Sequence, residues 1–161
     1  MKTAIARFLS IAIALGVLSA CATIAAVDRS PEVDAALKHY SDLVLHMDDA
    51  GIAGLFAENG ELKLTDHAPI YGPSAVRGFL DTFKDTKVIA YRIHADTTSV
   101  RGDTAAQSGT YHEKTKSPNQ QAVDASGHFD AVWVRATDGR WLIQQLMTTP
   151  DRGKKPASAK R

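Results

Sequence analysis

The chain is 161 residues long, carries a formal net charge of +1, is 44% hydrophobic and has a single cysteine. That length accommodates one domain with a real core and leaves no room for a second. One cysteine excludes a disulfide framework and a cysteine-based metal site, so packing must supply the stability. The charge is uneven: residues 28–150 hold 17 acidic and 12 basic side chains, whereas residues 151–161 hold one acidic and five basic. An acidic domain is a poor partner for nucleic acid.

Lys2 and Arg7 flank the start of an apolar run from Phe8 to Leu18 that is too short to span a bilayer comfortably and ends in small residues. This is the pattern of an export signal. Its end, Leu18-Ser19-Ala20-Cys21, resembles the lipobox of bacterial lipoproteins. The resemblance implies a signal peptide over residues 1–20, a lipid-modified Cys21 and a membrane anchor. Ala22 in place of aspartate implies the outer rather than the inner membrane. An ordinary signal cut after Ala22, releasing a soluble periplasmic or secreted protein, is the alternative. Residues 21–30 read as a tether and 31–150 as the domain. Residues 151–161 lack apolar anchors and read as a disordered basic tail, either solubilising or drawn to anionic lipid.

Ser30-Pro31-Glu32 carries an N-cap residue, a proline and a first-turn acid. Val33, Ala36, Leu37, Tyr40, Leu43, Val44 and Met47 then recur at three- and four-residue spacing, which predicts an amphipathic helix of about four turns. Asp48-Asp49 caps a shorter helix that buries Ile52, Leu55 and Phe56, Asn59-Gly60 turns the chain, and Glu61–Leu64 alternates as a short strand. Gly72-Pro73-Ser74 opens a third helix with the stripe Val76, Phe79, Leu80 and Phe83. From Thr86 the period becomes alternating and β-branched residues dominate. Strands are expected at Thr86–Val100, Thr104–Lys116, about Gln121–Arg135 and Arg140–Thr149, with short turns making consecutive strands antiparallel neighbours. Helices followed by a meander predict an α+β domain with helices on one face of the sheet.

This order of elements is similar to that of the nuclear transport factor 2-like superfamily. The similarity is carried by Gly51-Ile52-Ala53-Gly54-Leu55-Phe56-Ala57-Glu58-Asn59-Gly60, by Gly72-Pro73-Ser74-Ala75-Val76-Arg77-Gly78, and by Val132-Trp133-Val134-Arg135 before Asp138-Gly139-Arg140-Trp141-Leu142-Ile143. It runs over residues 32–149 and points to the small bacterial SnoaL-like and ketosteroid-isomerase-like branches. It implies a cone-shaped fold, three N-terminal helices packed on a strongly curved antiparallel sheet, a deep pocket between them and a homodimer through the outer sheet face. It implies little about function, because such a fold hosts isomerases, dehydratases, cyclases and binding modules. Set against the isomerase pattern, that family's tyrosine falls on Tyr40, but its general-base aspartate falls on Leu64 and its oxyanion-site aspartate on Ala131. Asp130 and Asp66 lie one and two positions away. The Asp-His pair of the dehydratase relatives has no matching placement.

Parity carried over from that pattern places Tyr91, Ser108, Thr110, His112, Trp133, Gln144, Leu146 and Thr148 on the inner sheet face opposite Tyr40. An apolar face with a few polar groups is what a small-ligand pocket needs, and satisfied core polar residues give the same pattern. His112 as base and Tyr40 as donor form the candidate catalytic set. The six histidines show no HxxxH or HxH spacing, so no metal or other cofactor is expected. Trp133 and Trp141 are expected to pack in the core or an interface. Two classes of function follow: a lipid-anchored protein that binds a small apolar or amphipathic molecule, or an isomerase, dehydratase or cyclase of the same fold. An envelope protein-interaction module is a third.

Overall fold

The computed structural model describes residues 28–151, so the segment read as an export signal, Cys21 and all but the first residue of the segment read as a basic tail lie outside it. Helix α1 spans Ser30–His46, with Pro31 in its first turn. Ser30 is already helical, and its backbone N–H donates to the Asp28 carboxylate at 2.9 Å. At the far end Met47 adopts a left-handed φ of 52°, which lets Met47 N–H reach Val44 O and Asp48 N–H reach Leu43 O. Asp48 then caps α2, Asp49–Gly54, by accepting from Gly51 N–H at 2.9 Å.

Strand β1 covers Phe56–Leu64, more than the short strand expected. Asn59-Gly60 does not turn the chain: it lies in an irregularity within the strand, between the paired residues Phe56 and Glu61. Gly60 is required there, since a Cβ would stand 2.6 Å from the Ile143 carbonyl oxygen. The two-residue β2, Ile70–Tyr71, leads into α3, Gly72–Asp81. Long strands follow as β3 Lys87–Arg101, β4 Thr104–Lys116, β5 Val123–Arg135 and β6 Trp141–Pro150.

All six strands form one sheet in the order β2-β1-β6-β5-β4-β3. The meander β3 to β6 is antiparallel as expected, but β1 runs parallel to β6, so the sheet is mixed rather than purely antiparallel. There are three helices among the described residues, and only two of them precede the sheet, since β1 and β2 intervene before α3. A parallel pair requires a crossover; here everything from β2 to β5 serves as that crossover, a long-range pairing that local periodicity does not announce. Register shifts at Val88–Ala90 and Ala95–Thr97 in β3, and at Val132–Trp133 opposite Gln144, bend the sheet around the helices.

The core gathers Val33 and Leu37 of α1, Ile52 of α2, Phe56 and Leu62 of β1, Val76 of α3, and Phe129, Trp133, Trp141, Ile143 and Leu146 of the sheet. Its one buried polar side chain among the described residues, Gln107, is fully occupied: the amide donates to Asp34 and Thr98 and its oxygen accepts from Trp133 Nε1–H at 3.0 Å. That network ties α1 to β3, β4 and β5 through groups that would otherwise be buried without partners. Trp141 likewise donates to Glu32 at 3.1 Å. Both tryptophans are core residues.

Candidate functional site

Helix α1 lies on β3, and α3 packs on α2 and β1. Between the C-terminal half of α1, α3 and the curved β3–β4 end of the sheet is a cavity of about 380 Å³. Val44, Leu62, Leu64, Phe79, Leu80 and Val88 provide apolar wall, while Tyr40, Tyr91, Tyr111, Glu113, Thr115 and Thr148 bring polar atoms. Volume and lining both fall in the range of small-molecule sites.

Tyr91 and Glu113 are direct cross-strand partners in the β3–β4 ladder, which puts their side chains side by side on the cavity face. Tyr40 comes from α1 to meet them, its ring edge-on to Tyr91 with centroids 6.2 Å apart. Burial pushes the Tyr40 hydroxyl up to about 12, with hydrogen bonding from Tyr91 opposing the shift and the Glu113 charge adding to it. Tyr91 is raised well above its ordinary value, first by burial and then by Tyr40 and Glu113. Burial also raises Glu113, against a smaller opposing pull from His112. Among the described residues that line the cavity, Glu113 is the one carboxylate, and no lysine, arginine or histidine joins it.

Of the residues expected to form a pocket, the structure brings Tyr40, Tyr91 and Thr148 together on this cavity. Trp133 and Leu146 lie behind it in the core. Gln144 sits at the β5–β6 irregularity and donates to the Asn59 carbonyl at 3.3 Å. Ser108, Thr110 and His112 are on the opposite face of the sheet, which corrects the parity expected for β4. Ser108 bonds Thr97 at 2.8 Å, Thr110 and His112 line an outer groove with His128, and the His112 side chain is 51% exposed with Asp124 at 3.6 Å. His112 and Tyr40 therefore cannot act on one ligand.

The β4–β5 ladder gives the reason. It runs without a shift from Thr104↔Val134 to Thr115↔Val123, so Ala105 and Gly109 share the inner face with Trp133 and Phe129. The inward set on β4 is thus Ala105, Gln107, Gly109, Tyr111, Glu113 and Thr115. One signal in the sequence supported this parity: His112 alternates in step with Lys114 and Lys116, two residues that favour solvent. Glu113, Tyr111 and Thr115 are the site residues that the isomerase-based parity missed. Leu64 lines the cavity and Ala131 is buried, so both isomerase carboxylate positions are apolar here, while Asp130 points outward and Asp66 is exposed in a loop.

The outer face also carries His94 beside Asp96 at 3.8 Å and His128 beside Asp151 at 3.6 Å. Among the described residues no group of three or more His, Cys, Asp or Glu side chains is arranged to hold a metal ion.

Comparison with known proteins agrees with this architecture. A family model described as a SnoaL-like domain matches residues 26–147. No protein of curated function matches the sequence. Among solved structures, a ketosteroid isomerase-like protein from Erwinia carotovora atroseptica superposes with a TM-score of 0.71 at 11% identity, covering 78% of this chain and 98% of that one. An NTF2-like protein with a cystatin-like fold from Novosphingobium aromaticivorans gives 0.65 at 19% identity, with 76% and 82% covered. ActVI-ORFA from Streptomyces coelicolor gives 0.61 at 20% identity, with 76% and 97% covered. At these identities the likeness is one of fold.

Proposed function

The chain belongs to the SnoaL-like domain family, and on that premise we propose that it binds one small, largely apolar or amphipathic molecule in the cavity between α1, α3 and β3–β4. The observation that supports this reading is an apolar cavity of about 380 Å³ whose polar groups cluster around Glu113. Buried polar groups are costly unless bonded, and a ligand head seated there would bond them. N-phenyl-1-naphthylamine, a neutral apolar probe, should bind saturably at one site. Leu80→Trp fills the cavity from α3 and should abolish that binding while leaving the fold's circular dichroism intact. Equal binding by the variant would place the probe elsewhere and sink the proposal.

A second reading, an isomerase, dehydratase or cyclase, is favoured by the opposition of Glu113 and Tyr91 with Tyr40 beside them. A carboxyl with a raised pKa exchanges a proton more readily near neutrality, and phenol donors can stabilise a developing oxyanion. On this reading Glu113 takes the role that His112 cannot. Turnover of a cavity ligand should vanish in Glu113→Gln while its binding persists.

We also propose that the domain is exported and held at a membrane by lipid on Cys21, on the strength of Leu18-Ser19-Ala20-Cys21. A homodimer through the outer sheet face is part of the same proposal. Val132 and Met147 are exposed on that face and give it an apolar centre.

A further inference from the structure

Glu113 is a half-buried carboxylate in an apolar cavity without a cation beside it. The groups that face it are Tyr40 from α1, Tyr91 from β3 and Tyr111 from β4 itself. The other cavity-lining elements, α2 with Ile52, β1 with Leu62 and Leu64, α3 with Phe79 and Leu80, and β6 with Thr148, contribute no charge. The nearest basic groups point elsewhere. His112 faces outward on the same strand with Asp124, and Lys114 pairs with that same aspartate at 3.3 Å. An anionic ligand head would meet like charge in a medium that screens it poorly, and a neutral head would leave an ionised Glu113 uncompensated. An ammonium head would compensate it and would lie among three aromatic rings whose π faces attract cations.

We propose, on the reading that this cavity binds a small molecule, that it selects amphipathic amines: Glu113 is the counter-ion of the ammonium head, Tyr40, Tyr91 and Tyr111 surround that head, and the apolar walls from α3 and β1 take the tail. The carboxylate that looks like a leftover catalytic acid is then a specificity residue. Its raised pKa adds a pH dependence of definite sign. The ammonium binds the ionised form, so affinity rises with pH through the titration of Glu113 and levels off above it. An alkyl ammonium itself stays charged across that window, with a pKa on the order of 10.

The test uses one tail with three heads: 4-phenylbutylamine, 4-phenylbutanol and 4-phenylbutyrate. Each is titrated calorimetrically into the full chain in phosphatidylcholine nanodiscs, with empty nanodiscs as the blank. The amine should bind about tenfold more tightly than the alcohol, a ratio in the range of one ion pair with aromatic support, and the carboxylate most weakly. Glu113→Gln should bring the amine down to the alcohol without weakening the alcohol. The pH profile of amine binding to the unaltered chain carries the same test without a substitution: affinity should fall on acidification while that of the alcohol does not fall. Equal binding of alcohol and amine, or a preference for the alcohol, overturns the amine proposal and leaves the cavity reading standing. Equal loss of both neutral and cationic ligands in Glu113→Gln also overturns it, because the residue would then shape the cavity and not its selectivity. Binding of none of the three by the unaltered chain removes the cavity reading together with the proposal.

Discussion

Glu113 meets opposite demands from folding and from binding. Burial raises its pKa, so the folded protein holds its proton to higher pH than the unfolded chain does. The ionised form therefore opposes folding. That penalty is absent below the unfolded-state pKa of about 4.3 and is complete above the raised folded value, so stability declines as pH rises through the window between them. Glu113→Gln removes the penalty. Its gain in Tm over the unaltered protein should be smallest near pH 4 and grow toward pH 8, as followed by thermal denaturation. A gain that does not change with pH would mean that the carboxyl ionises as freely in the folded protein as in the unfolded one. A residue kept at a cost to stability is a mark of a site serving function rather than packing.

At the scale of elements, the parts of the fold that depend on local pattern were legible and those that depend on register were not. The stripe from Val33 to Met47, the Asp48 cap and the stripe in α3 each state a period and a boundary within one stretch of chain. The parallel β1–β6 pairing joins residues about 80 positions apart, as Leu62↔Leu146 shows, and no local pattern states such a partner. The isomerase-like parity does not hold on β4, because the strand's own alternation, ending in Lys114 and Lys116, points the other way. Tyr40, Tyr91 and Thr148 survive because α1 has an unambiguous face and because they lie on the correct side of the irregularities in β3 and β6. Helix α3 tests whether its inner face is core or cavity wall. Phe129 is 1% exposed, so Phe129→Ala should cost about 3–5 kcal/mol in urea unfolding. Phe79 borders space that is already empty and only partly leaves water, so Phe79→Ala should cost roughly half as much, while widening the cavity enough to admit bulkier ligands. Equal costs would mean that the α3 side of the cavity is closed in solution.

For the whole molecule, the relation between the proposed anchor and the cavity follows from the direction of α1. The described chain begins beside the β3–β4 turn, where Arg29 donates to the Asp103 carboxylate and to the Gly102 carbonyl, each at 3.3 Å. The cavity is at the other end of the helix, where Tyr40, Val44 and Met47 line it together with Thr86 at the start of β3 and Thr115 near the end of β4. The 17 residues of α1 span ~25 Å. A tether pulling on Ser30 toward a bilayer would thus hold the cavity on the side of the domain away from the lipid, facing solvent and whatever ligand arrives through it. Residue 151 follows β6 at that same distal end, beside Ser126 and far from Ser30. Membrane attachment and ligand binding should therefore be separable. Cys21→Ala should abolish palmitate labelling and leave the signal uncleaved, yet the cavity should bind N-phenyl-1-naphthylamine with an affinity within about twofold of the lipid-modified protein, since a tether that touches no cavity residue leaves the site's contacts unchanged. Loss of binding along with the lipid would reverse this geometry: the ligand would then be drawn from the bilayer, and the cavity would have to open toward the anchor.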